Sequence, residues 1–134
     1  YEQFGYFQEI LLSKTFKGQK GQEDMNALMK SLREETPSEI GGIGVDSIRD
    51  YKEKKAYRRS DGSLIEEIGL PPSNVLQFIL EDDSIVTARP SGTEPKIKFY
   101  ASCRGKKGES PEEAKSSVLE RLQSIQAAID SWTS

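Results

Sequence analysis

The sequence predicts an α+β domain: an antiparallel sheet of four to five strands with two helices packed on one face. Three observations carry that expectation. Short runs rich in β-branched and aromatic residues are separated by turn signals such as Asp61-Gly62 and Asp82-Asp83. Two longer segments repeat apolar residues every three or four positions, the spacing of one helix face. A length of 134 residues fits one domain with a modest core.

The elements follow in order. Tyr1-Glu2-Gln3-Phe4-Gly5 reads as the last turn of a helix closed by glycine. Residues 1–5 are therefore expected to end a preceding domain, with residues 6–134 forming a domain of their own. Residues 7–17 alternate loosely and are rich in β-prone side chains, which predicts a strand closed by Gly18 and Gly21. Residues 24–34 place Met25, Leu28, Met29 and Leu32 on one helix face, stopped by Pro37 and Gly41-Gly42. Residues 43–51 form a short strand. Residues 52–63 are polar and charged, with Asp61-Gly62 as a turn between two arms.

Residues 75–80 read as an apolar strand broken by Gln77, and Asp82-Asp83 turns the chain into a returning strand at 85–89. Residues 97–103 set Ile97, Phe99 and Ala101 on one face, with Lys96, Lys98 and Tyr100 on the other. The last helix has the strongest signal. Ser110, Pro111 and Glu113 supply an N-cap, a proline at the first helical position and the glutamate of a capping box. Ala114, Val118, Leu122, Ile125, Ile129 and Trp132 then recur at three or four.

Composition narrows the function classes. Hydrophobic residues make up 34% and charged residues 31%, with a formal net charge of −3, so the chain carries no global nucleic-acid footprint. No apolar run approaches a membrane span. A single cysteine, Cys103, rules out an internal disulfide, and together these features predict a cytoplasmic protein with neither nucleic acid nor membrane as partner. Histidine is absent, which removes the commonest general base and metal ligand.

The chemistry concentrates in Arg89-Pro90-Ser91-Gly92-Thr93-Glu94-Pro95. Arg89 offers a planar fork that matches phosphate oxygens. Ser91 and Thr93 add hydroxyl donors, and Gly92 lets backbone amides approach an anion closely. Lys98, on the strand face away from the core, can point at the same ligand. Lys96 shares that face but is expected to be solvated, and Glu94 is expected to stabilise the loop without touching ligand. The alternative for the loop is an ordinary turn-rich hairpin.

Other clusters read more plainly. Lys52, Lys54, Lys55, Arg58 and Arg59, interleaved with Tyr51 and Tyr57, form a solvated loop or an edge strand blunted by charge. Glu81, Asp82 and Asp83 form a turn and lack the ligand spacing of a calcium loop. Cys103 has no base beside it and is expected to pack at a strand end.

The run from Arg89 to Tyr100, Arg-Pro-Ser-Gly-Thr-Glu-Pro-Lys-Ile-Lys-Phe-Tyr, resembles the phosphate-binding loop of the α-D-phosphohexomutases. Weaker similarity covers the Gly5-Tyr6-Phe7 opening, the lysine and glycines at 17–21, and the approach from Leu70 to Leu76. The resemblance implies the C-terminal, TATA-box-binding-protein-like domain of that family, in which the loop holds the phosphate not being transferred. It implies a hexose phosphate substrate, upstream domains of the same chain as partners, and Mg2+ in the full-length enzyme. It also implies a phosphoserine in a Ser-His-Asn setting, an Asp-Gly-Asp metal loop and a Glu-x-Ser sugar loop, none of which occurs here. The expectation is therefore no catalytic residue, no metal ligand and no cofactor within this fragment. The site residues expected are Arg89, Ser91, Gly92, Thr93 and Lys98. Two other readings stand beside it: a non-catalytic phosphate- or nucleic-acid-binding module, and a structural or regulatory domain with a vestigial loop.

Overall fold

The computed structural model describes residues 7–59, 62–69, 73–91, 94–105 and 108–133. The expected helix end at residues 1–5 lies outside the described residues. Along the chain come β1 (Phe7–Thr15), α1 (Gly21–Glu34), β2 (Glu39–Ile40), β3 (Ile43–Asp50), β4 (Lys55–Arg58), β5 (Leu64–Glu67), β6 (Leu76–Leu80), β7 (Ile85–Pro90), β8 (Lys96–Arg104) and α2 (Pro111–Trp132). The strands join in the order β1-β8-β7-β6-β3-β4-β5, and β2 pairs with β3. The pairings are antiparallel throughout.

The α+β class and the two helices agree with the sequence, but the sheet has eight strands in place of four to five. The additional strands are β2, β4 and β5. At two residues β2 is too short to show any periodicity. Gly41 and Gly42, at φ +61° and +82°, turn it back into β3 rather than ending a helix. β4 and β5 fill the polar segment and its second arm. Leu64, Ile65, Glu66 and Glu67 of β5 are all exposed, so no hydrophobic alternation betrays the strand.

Both helices cover one face of the sheet. The core gathers Met25, Met29 and Leu32 from α1 and Val118, Leu122, Ile125 and Ile129 from α2 against Leu76, Phe78, Leu80, Val86, Ala88, Ile97, Phe99 and Ala101. Strict alternation along β8 sends Ile97, Phe99, Ala101 and Cys103 inward and leaves Lys98 exposed, as the sequence predicts. β6 alternates too: Leu76, Phe78 and Leu80 are buried while Gln77 and Ile79 face the opposite side. A register shift between Val45 and Ser47 lets both Val45 and Ile48 reach the core.

α2 begins with the expected capping box: the Glu113 N–H donates to Ser110 Oγ at 3.2 Å, and the Ser110 N–H donates to Glu113 Oε1 at 3.1 Å. Its far end is tied to the sheet by Trp132, whose ring lies 6.0 Å from that of Phe99, and by the ion pair between Lys14 and Asp130. α1 starts at Gly21, three residues before the expected position, and has no side-chain cap. A hidden charge anchors its other end. Asp50, 1% exposed, accepts from Arg33 Nε at 2.8 Å and from the backbone N–H groups of Lys52 and Glu53 at 3.1 and 3.2 Å.

A candidate phosphate-binding site

β7 and β8 form a hairpin whose ladder fixes the site. Arg89 stands opposite Lys98, and Pro90 opposite Ile97. Because Ile97 is committed to the core, Lys98 must emerge on the opposite face, beside Arg89. The Ser91 N–H then donates to the Lys96 carbonyl at 2.8 Å, and the Lys96 N–H donates to the Glu94 carbonyl at 2.8 Å. The Glu94 N–H donates to Ser91 Oγ at 3.2 Å. These bonds hold the flanks of the loop together through backbone groups.

The loop is also braced from outside. The Phe16 N–H donates to the Pro95 carbonyl at 2.7 Å. Gly21 opens α1 against the same segment. A Cβ there would sit 2.3 Å from the Phe16 carbonyl oxygen and 3.3 Å from Pro95 Cβ, so a larger residue would push into the loop's exit.

An open pocket of about 400 Å³ lies above this hairpin, lined by Arg89, Pro90, Ser91, Glu94, Lys96, Lys98 and Tyr100. Three of the five expected site residues, Arg89, Ser91 and Lys98, meet in its wall. The other two, Gly92 and Thr93, lie outside the described residues. Lys96 is half-buried in the wall, although the sequence assigned it to solvent. The face periodicity that it shares with Lys98 and Tyr100 was the available signal. Glu94 also lines the pocket, and its stabilising bonds come from its backbone, not its carboxylate.

Tyr100 joins the pocket to the helix-free face of the sheet. It opposes Thr87, whose hydroxyl accepts from Gln77 Nε2 at 3.3 Å. Gln77 Oε1 accepts from the Tyr51 hydroxyl at 3.4 Å, and that hydroxyl accepts from Arg49 Nε at 3.3 Å. Arg49 is in turn paired with Glu66.

Arg33, Arg49, Arg58 and Arg121 each pair with a carboxylate. Among the described residues, Arg89, Lys96 and Lys98 have no such ion pair. Three cations, a hydroxyl, a tyrosine and the Glu94 carboxylate thus share one pocket, with no ion pair closed between them. The other expectations settle differently. Asp82 pairs with Arg121 at 2.6 Å and accepts from the Ser84 N–H at 2.9 Å, so it holds the turn and α2. Cys103 is buried, accepts from Ser84 Oγ at 3.1 Å, and its thiol is pushed up by burial. No helix among the described residues is long and apolar enough to cross a membrane.

No family model matches the chain. It is 40% identical over 102 residues to a phosphoglucomutase of Staphylococcus haemolyticus, covering 76% of this chain and 18% of that enzyme. It is 38% identical over 104 residues to phosphoglucomutases of Staphylococcus aureus strains RF122 and USA300, covering 78% of this chain and 18% of each enzyme. The chain thus spans under a fifth of the length of the relatives it matches. Identity at this level over three quarters of the chain, joined to an α+β fold that presents the Arg89 loop between β7 and β8, places the chain in the α-D-phosphohexomutase family, as its C-terminal domain.

Proposed function

We propose that this domain clamps the phosphate of a hexose phosphate that is not being transferred while a phosphoryl group moves between the 1- and 6-positions of glucose or mannose. The observation that carries the reading is the convergence of Arg89, Ser91 and Lys98 in one pocket without a carboxylate bound to either cation. Arg89 is the bidentate clamp, Ser91 and Thr93 the hydroxyl donors, Gly92 the backbone donor and Lys98 the second cation. Each charged hydrogen bond of this kind contributes about 1.5–3 kcal/mol. Binding energy drawn from the remote phosphate orients the reacting end of the sugar. A clamp that reads the phosphate more than the ring accepts the sugar in either orientation.

The resemblance implies Mg2+ in the full-length enzyme. Among the described residues no group of three or more histidines, cysteines and acids converges to hold a metal. The domain's own part is to bind and orient. On this reading the chain alone has no mutase activity, and turnover by the pure chain would overturn that point.

The test is a titration of the 134-residue chain with glucose 6-phosphate and with inorganic phosphate, followed by backbone amide NMR. Shifts confined to 89–93 and Lys98, alike for both ligands, are expected. Shifts elsewhere, or none at millimolar ligand, would count against the clamp.

A further inference from the structure

We propose that Glu94 is a specificity-determining residue of this pocket: its carboxylate offsets one of three cations and trims the clamp to the charge of a single phosphate monoester. The inference rests on the phosphate reading above and adds what sets the clamp's selectivity.

The pocket wall holds Arg89, Lys96 and Lys98, with Glu94 as its acidic member. Three cations and one carboxylate leave two net positive charges. A phosphate monoester carries about −1.5 to −2 near pH 7, because its second pKa is about 6. The pocket and that ligand are therefore matched. Without Glu94 the pocket would carry an excess charge and favour more highly charged anions.

The Glu94 carboxylate has no structural duty that would explain it otherwise. Its residue is exposed. The bonds that hold the loop at this position use the Glu94 N–H and carbonyl. Among the described residues the carboxylate makes no ion pair, although three cations share its pocket. Asp50 shows what a closed pair looks like in this chain, with Arg33 at 2.8 Å. An acid that shares a pocket with cations, yet is not locked onto them, lowers the affinity of an incoming anion without blocking the site. It also speeds departure, since repulsion between the carboxylate and the bound phosphate acts on release.

Lys96 is the partner in this balance. It sits on the same strand face as Lys98, one pleat nearer the loop, and is half-buried in the pocket wall. Removing its charge should undo what removing Glu94's does.

The experiment measures dissociation constants of the 134-residue chain for glucose 6-phosphate and for inorganic pyrophosphate, with Glu94→Gln, Glu94→Ser, Lys96→Gln, the double variant Glu94→Gln/Lys96→Gln, and Arg89→Ala. Both neutral Glu94 variants should bind glucose 6-phosphate about three- to tenfold more tightly at low salt, with the larger gain for pyrophosphate. Lys96→Gln should weaken binding by a similar factor, and the double variant should return to within about twofold of the native chain. An unchanged thermal midpoint without ligand shows that the fold is intact, and two Glu94 variants guard against one that misfolds. Native or weaker affinity in the Glu94 variants, with Arg89→Ala still abolishing binding, overturns the Glu94 inference alone. Native affinity in Arg89→Ala overturns the phosphate reading and this inference with it.

Discussion

Arg89 and Lys98 are direct cross-strand partners in the β7–β8 ladder, two cations side by side where a strand pair ordinarily avoids them. Like charges directly opposite each other destabilise a sheet. Neutralising one of them should therefore stabilise the ligand-free chain, while removing its response to phosphate. Lys98→Gln is expected to raise the thermal midpoint in low-salt buffer and to abolish the upward shift that inorganic phosphate produces in the native chain. A lowered midpoint in Lys98→Gln would show that the lysine supports the fold instead.

Asp50 makes the opposite prediction. Its carboxylate is buried and, among the described residues, is satisfied through Arg33 and two backbone amides. Breaking a buried pair leaves an uncompensated charge, so Arg33→Ala should cost about 3–5 kcal/mol in urea unfolding. A loss within the range of a surface substitution would mean that α1 is not held through this contact.

Asp82 governs the acid limb. Burial alone would push its carboxyl up, but the hydrogen bond from Arg121 and those from Ser84 outweigh burial and hold it below its ordinary value. The unfolded chain then takes up this proton first as pH falls. The contribution is complete above the unfolded value of about 4 and is lost as pH falls through the lower folded value. Asp82→Asn should show a shallower loss of stability below about pH 4 than the native chain. Identical acid limbs would refute the assignment.

The capping box at Ser110 is testable through α2. Ser110→Ala leaves the Glu113 N–H without its side-chain acceptor and should cost about 1 kcal/mol, read by urea unfolding. Because α2 supplies Val118, Leu122, Ile125 and Ile129 to the core, the transition should stay cooperative and not split.

Cys103 should be inert in the native state. Its thiol is 1% exposed and pushed up by burial, so a thiol reagent should label it only at the rate of unfolding. Rapid labelling of the folded chain would contradict the packing at the end of β8.

What the sequence made legible was local. The period-two pattern of β8 and the capping box with its three-four repeat in α2 arise from neighbours in the chain, and both elements stand where expected. β5 was hidden because neither of its faces is buried. β2 was hidden because two residues carry no period. At the site, the residue types from Arg89 to Lys98 raised the expectation of a phosphate, but the register that sets Arg89 opposite Lys98 belongs to a pairing, as does the arrival of Lys96 in the pocket wall. The Arg33–Asp50 and Arg121–Asp82 contacts are also products of folding, joining residues 17 and 39 positions apart.

The bracing of the phosphate loop has a mechanical consequence. Ser91 and Lys96 are bonded across its neck, Pro95 is bonded to Phe16, and Gly21 leaves no slack behind Pro95. Flanks fastened in this way cannot swing down independently of the sheet. On the proposed clamp, sealing a ligand against solvent would carry these flanks, the sheet and its helices together, and the bending would fall at a joint outside those elements.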